Sequence, residues 1–183
     1  MAGNRTYRDW WWRLALTAPM VAVCALTVVA AVPPGGSFGL ILVLIPAWSL
    51  SGLMWVVLLF FRDYRRSRWA LVPPLAGALT LALVSFDIPM KAAFLVSEPA
   101  LTRYVRSLPE DERWASTGDR AGLFSIESVQ RWNGVTQLRV AGSGGMLEQC
   151  GFAYLPGGDV RLLDVSGAER LSDGWYVVCV DFD

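Results

Sequence analysis

The chain contains no histidine. That removes the commonest general base, the usual partner of serine and cysteine nucleophiles, and the commonest zinc ligand. Serine–lysine chemistry would be the next option, but Lys91 is the only lysine. Asp159, Asp164, Asp173 and Asp181 are scattered over predicted turns and strand ends, with no spacing that forms a dyad. The run Gly142-Ser143-Gly144-Gly145 lacks the Lys-Ser/Thr ending of a phosphate loop and reads as a strand connection. Glu110-Asp111-Glu112 lacks the alternating oxygen ligands and central glycine of a calcium loop, so it reads as a solvated helix start. No residue is assigned to catalysis, to a cofactor or to a metal, and the chain is expected not to be an enzyme.

Three smaller groups of residues remain. Cys150 and Cys179 each fall within a predicted strand and are candidates for a disulfide; the competing reading is two buried free thiols, because the Cα atoms must approach within ~7 Å. Cys24 reads as an apolar filler. Asp87 and Lys91 stand four apart, so on a continuous helix they share a face and can pair. Trp132, Tyr154 and Trp175 are candidate contact aromatics on wet strand faces, with core packing as the competing role.

The elements that must position these residues fall into two halves. Leu14–Val32, Gly39–Phe61 and Ala70–Phe86 are apolar and free of charge, each near the ~20 residues that a helix needs to cross a bilayer. Met1 to Trp69 carries seven Arg against two Asp, and Ala70 to Asp183 carries nine basic against fourteen acidic residues. The basic surplus sits in the segment before the first stretch and in the Arg62–Arg68 loop, and short Arg-rich loops stay cytoplasmic. The expected organisation is a cytoplasmic tail over 1–13, a three-helix transmembrane region over 14–96 with a membrane-edge hinge, and an extracytoplasmic α+β domain over 97–183. Trp10, Trp11, Trp12 and Trp69 fit interface anchors. A cleaved signal is disfavoured because the 19-residue first run exceeds the ~7 to 15 residues of an export signal's apolar region. Val21-Ala22-Val23-Cys24 departs from a lipoprotein box at Val23.

Within the spans, Pro46 is expected to kink the second helix. Ala76, Ala78, Thr80 and Ala82 form a small-residue strip on the third. No ionisable residue sits mid-span, which argues against an ion-coupled pump. The third span is expected to end near Phe86, with Ile88–Val96 an interfacial extension; a longer span enclosing an Asp87–Lys91 pair is the alternative. Ser97-Glu98-Pro99 then reads as the start of a new helix. From Gly122 the period changes to two. Leu123–Trp132 and Val135–Ala141 flank Asn133-Gly134, a hairpin signal that sets Val129 opposite Leu138. One face would carry these apolar residues, and Ser128, Gln130, Gln137 and Arg139 would meet water. Glu148–Leu155, Trp175–Phe182 and Val160–Val165 complete an antiparallel sheet of four or five strands.

The segments Ala121-Gly122-Leu123-Phe124, Cys150-Gly151-Phe152-Ala153-Tyr154-Leu155-Pro156-Gly157-Gly158 and Gly174-Trp175-Tyr176 resemble those of small uncharacterised actinobacterial three-span membrane proteins with a C-terminal extracytoplasmic domain. The overlap runs from about Asp87 to the end. An Arg-to-Lys ratio of fifteen to one fits a genome rich in G and C. The resemblance implies an architecture and no site residues. The sequence therefore points to a cell-membrane protein that binds through its exterior domain, with the lipid bilayer and another envelope or membrane protein as partners. The acidic exterior argues against nucleic acid. The alternative is an accessory or immunity factor whose helices act on another membrane protein.

Overall fold

The computed structural model describes residues 3–109, 114–132, 134–145, 148–157 and 167–181. The chain divides into two compact units, one formed by Met1–Val29 with Gly39–Phe86, the other by Ala30–Phe38 with Asp87–Asp183.

The first unit is helical: α1 (Gly3–Ala30), α2 (Phe38–Leu59), the short α3 (Arg62–Arg65), a 3₁₀ turn at Arg68–Leu71 and α4 (Val72–Ser85). Proline in the first turn of α4 suits its fixed φ and costs no hydrogen bond. Pro19 and Pro46 lie inside α1 and α2, and each helix continues past them. Several polar groups of these helices are paired within the unit, whereas the buried Tyr64 hydroxyl of α3 has no hydrogen-bond partner. The Thr27 hydroxyl donates to the Val23 carbonyl at 2.8 Å and accepts from Trp48 Nε1 at 2.9 Å, while Trp55 Nε1 donates to the Ala70 carbonyl at 3.0 Å. The buried line on α4 is Pro73, Gly77 and Thr80 rather than the alternating strip expected over Ala76–Ala82. A 3.6-residue period brings i, i+4 and i+7 together and spreads alternate residues around the helix. An added Cβ at Gly77 would meet Met20 Cε and the Trp48 ring at 3.4 Å, so the closest packing is made there.

Two segments, Phe38–Leu59 and Arg68–Ser85, are long and apolar enough to cross a membrane. Only 11% and 22% of their residues are buried within the fold. Aliphatic side chains such as Leu42, Val43, Leu50, Leu75 and Leu79 point outward instead. The side chains of Trp10, Trp11 and Trp12 lie outside the described residues.

The second unit combines α5 (Ile88–Ser107) with six strands: β1 (Trp114–Ala121), β2 (Phe124–Trp132), β3 (Val135–Val140), β4 (Glu148–Tyr154), β5 (Gly167–Ser172) and β6 (Trp175–Asp181). They form one sheet in the order β1-β2-β3-β4-β6-β5, and every neighbouring pair is antiparallel. Among the described residues the sheet thus has six strands rather than four or five. The two additional strands, β1 and β5, are its edges. Their sequences, Trp-Ala-Ser-Thr-Gly-Asp-Arg-Ala and Gly-Ala-Glu-Arg-Leu-Ser, lack apolar alternation; ladder hydrogen bonds to an inner neighbour hold them. Val160–Val165 and Glu110–Glu112 lie outside the described residues.

The hairpin register is the expected one: Trp132 pairs with Val135 and Val129 with Leu138. Asn133 itself lies outside the described residues. The second sheet face is drier than expected, since Ser128 and Gln137 are buried and Val135, Ala153, Leu155, Tyr176 and Val178 form an apolar cluster there with Trp132 beside it. The main core lies on the opposite face, where Met90, Ala93, Phe94, Leu101 and Val105 of α5 pack on Ile126, Leu138 and Phe152. Phe94, Phe124, Phe152 and Trp175 meet at centroid distances of 4.8–5.9 Å, in the tilted and edge-on arrangements that aromatic quadrupoles favour.

The helix start expected at Ser97-Glu98-Pro99 is absent: α5 runs unbroken through Pro99 and begins ten residues earlier, with Pro89 in its first turn. Ser97 is fully buried and accepts a hydrogen bond from the Leu123 N–H at 2.9 Å. A side chain that would cap a free helix here satisfies a β-turn amide instead. The adjoining Gly122 has φ +66°, and a Cβ there would lie 2.5 Å from Ser97 Cβ. Gly134 has φ +81° but open space around it. Gly122→Ala should therefore lower stability by a left-handed backbone cost of ~1–2 kcal/mol plus an overpacking cost of ~1–3 kcal/mol. Gly134→Ala should show only the first. Thermal unfolding of the two variants checks this, and equal losses would contradict the close approach.

Candidate functional site

Cys150 and Cys179 sit directly opposite one another on β4 and β6, with Cα atoms 4.1 Å apart, and they form a disulfide. The link joins positions 29 residues apart and staples β4 to β6. Glu148 brings a carboxylate oxygen within 4.8 Å of both sulfurs. Because the sulfurs are bonded to each other, this trio offers no thiolate, the form that a metal requires. Cys24 is a free, buried thiol in α1.

The disulfide is also where a distant segment docks. Residues 30–38 connect α1 to α2, and Pro34 is fully buried there. Ser37 and Gly144 form a parallel β-bridge, and the Gly144 N–H donates to the Gly36 carbonyl at 3.0 Å. Gly35 has φ +70°, and a Cβ at this position would lie 2.5 Å from Cys150 Sγ. Only glycine permits both that backbone and that approach. The loop, the Gly142–Gly145 connection and the disulfide consequently make one corner. The glycine run does serve as a strand connection, and its amide holds loop backbone.

At the other end of the sheet, Arg131 closes α5. Its guanidinium donates to the carbonyls of Val105 (2.9 Å), Leu108 (3.4 Å) and Pro109 (2.9 Å), and Nε reaches the Thr136 hydroxyl at 3.2 Å. The last carbonyls of a helix lack intrahelical partners and carry partial negative charge, so a fixed cation there is doubly favourable. The contact lies outside sequence reasoning because 22 to 26 residues separate the arginine from the carbonyls.

The start of α5 carries the pair singled out in the sequence. Asp87 occupies a left-handed conformation (φ 54°), and its carbonyl accepts the first bond of the helix, from the Lys91 N–H at 2.9 Å. Aspartate tolerates this region better than most residues. The Lys91 ammonium, however, pairs with Glu169 of β5 at 2.8 Å. Among the described residues, no ion pair joins it to Asp87. Hydrogen bonding to Glu169, opposed by desolvation and aided by the charges of Glu169 and Asp87, holds the lysine above its ordinary range, so the ammonium stays charged through neutral pH. Both side chains are about half exposed, and such pairs contribute little to stability. Glu98, two turns further along the same face of α5, accepts from the Ser172 hydroxyl at 2.7 Å.

Of the three candidate contact aromatics, Trp175 is buried and Trp132 and Tyr154 are half-buried. Trp175 is 1% exposed, stacks on Phe94 and Tyr154, and its indole N–H reaches the Thr102 hydroxyl at 3.3 Å. Tyr154 lies against the main core and Trp132 against the second cluster. Strand ends looked wet in the pattern because α5 and the second face could not be placed from it. The described carboxylates are dispersed likewise: Asp119 accepts from the Tyr104 hydroxyl, and Asp173 pairs with Arg170. Asp159 and Asp164 lie outside the described residues.

No family model, curated protein or solved structure matches the chain. What the geometry defines is a disulfide-stapled sheet capped by one helix and clasped by a preceding loop.

Replacing both Cys150 and Cys179 with serine should cost about 2–4 kcal/mol, the range for releasing a loop of this length. The unreduced protein should melt at lower temperature after a reductant is added, and the double variant should be indifferent to it. A reductant-insensitive melting temperature in the unmodified chain would contradict the staple.

Proposed function

We propose that this chain is a three-span protein of the cell membrane, with a cytoplasmic N-terminus and an extracytoplasmic sheet domain that acts by binding another envelope or membrane protein. The observation that carries the reading is the docking of residues 30–38 onto the sheet through Gly36, Ser37 and Gly144. A compact unit occupies one side of a bilayer, so the loop before α2 and the domain after α4 share a side, and α2 with α4 make an outward-inward-outward pair of crossings. The Arg62–Arg68 loop then faces the cytoplasm, as its charge favours.

Further support comes from chemistry. Outward-pointing aliphatics on α2 and α4 suit lipid, whereas the core helix of a soluble protein would bury them. The first crossing is assigned to α1, whose described apolar part, Thr17–Ala30, follows an Arg-bearing segment. The Cys150–Cys179 disulfide suits an oxidising compartment. A binding role is favoured over catalysis because the chain has no histidine and the acidic side chains among the described residues do not converge. The alternative, helices that act on another membrane protein, has less behind it: the approach at Gly77 is already taken by Met20 and Trp48.

Alkaline phosphatase fused after Asp183 should be active in living cells, and a cytosol-dependent fluorescent protein at the same point should stay dark. A photoreactive residue at the exposed Arg120 of β1 should then capture a discrete envelope or membrane protein in vivo. A bright fluorophore with silent phosphatase would overturn the orientation. Correct orientation with no discrete adduct from this or other exposed edge positions would overturn the binding role.

A further inference from the structure

The buried stripe of α5 accounts for one side of the helix, and the opposite side has a composition of its own. Ile88, Ala92, Leu95, Val96 and Pro99 are exposed, Leu95 by 62% and Val96 by 73%. At 100° per residue they fall within one arc of about 100°, and Arg103 and Arg106 continue the same arc in the last two turns. The outer face is thus uncharged for three turns and basic thereafter. The flanking carboxylates are drawn aside: Glu169 to Lys91 and Glu98 to Ser172.

Sequence connectivity says what can cover this face. The apolar segment of α4 ends at Ser85 and α5 begins at Ile88. Three Cα–Cα steps span at most ~11 Å. Where α4 crosses a bilayer, as in the function proposed above on which this inference rests, Ile88 cannot leave the interfacial zone. An amphipathic helix with aliphatics on the lipid side and arginines in register with them matches an interfacial helix, in which apolar side chains enter the acyl boundary and long cations reach phosphate.

We propose that the outer face of α5 is a lipid-docking surface, with Ile88, Leu95 and Val96 seated at the headgroup–acyl boundary and Arg103 and Arg106 bound to anionic headgroup phosphates. The sheet rides on the other side of the helix and is held close to the bilayer, its edges lateral. Anionic lipid is the ligand, and the docked state is more populated in membranes that contain it.

The full-length protein, with Cys24→Ala so that the disulfide is the only other sulfur pair, is reconstituted in vesicles of phosphatidylcholine with or without phosphatidylglycerol. A fluorophore is attached at Leu95→Cys, at Ala168→Cys on the exposed β5 edge, or at Leu79→Cys on α4, and brominated lipids of graded depth quench it. The Leu95 label should be quenched by shallow bromines, the Ala168 label should not, and the Leu79 label should be quenched by deep ones. Arg103→Gln and Arg106→Gln should each lower the docked-to-free ratio at Leu95 about fivefold in phosphatidylglycerol vesicles, and hardly at all in phosphatidylcholine alone. Quenching at Leu79 but not at Leu95 would overturn the docking surface and leave the membrane reading standing. A Leu95 label shielded only as protein density rises, with energy transfer between copies, would overturn it in favour of a self-association face. Absence of quenching at Leu79 would overturn the membrane reading itself.

Discussion

One compact unit is built from two pieces of chain that α2 to α4 separate, and most of the account follows from this. The Ala30–Phe38 loop gives the sheet a backbone acceptor at Gly36, a bridge at Ser37 and a buried proline at position 34. Backbone hydrogen bonds of this kind are costly to break and leave unpaired in a buried corner. Loop and sheet therefore share a compartment, and in the function proposed above the helices between them leave it and return. The proposed orientation, the meaning of the Arg62–Arg68 charges and the compartment in which the disulfide forms are all tied to that single attachment.

Within the unit, α5 closes the sheet with one face. Phe94, Leu101 and Val105 seal the sheet, and burying each large apolar side chain contributes ~1.5–3 kcal/mol. The helix also tolerates Pro99 in its interior, a residue that costs ~3 kcal/mol or more in an isolated helix. Tertiary burial on both sides of Pro99 outweighs that local penalty. Arg131 and Asp87 finish the two ends, one by charge and one by a backbone conformation that few residues accept.

How legible this was in the sequence depends on whether the determinant was local. The β2–β3 register was readable because Asn133-Gly134 and the two-residue alternation agree on Val129 opposite Leu138. The disulfide was readable because both cysteines lie in apolar strands. The α2 and α4 segments were readable because uncharged runs have few alternatives. By contrast, Ser97-Glu98-Pro99 uses the vocabulary of a helix start, and only the approach of Gly122 turns Ser97 inward. The edge strands β1 and β5 carry little pattern since their neighbours supply the order. Whether Trp175 serves as a contact or a core residue stayed open in the sequence because its burial depends on Phe94 and Thr102, more than seventy residues earlier. The Gly35–Cys150 contact was equally hidden: a turn of two prolines and two glycines announces a bend without naming what it bends onto.

Sided labelling of single cysteines in intact cells tests the shared compartment most directly. In a Cys24→Ala background, cysteines are placed at Gly39, which has open space beside it, at Ala168 on β5 and at Ser67 in the Arg-rich loop. A membrane-impermeant maleimide should modify the first two without lysis and the third only after it. Opposite sidedness for Gly39 and Ala168 would contradict the account at its root.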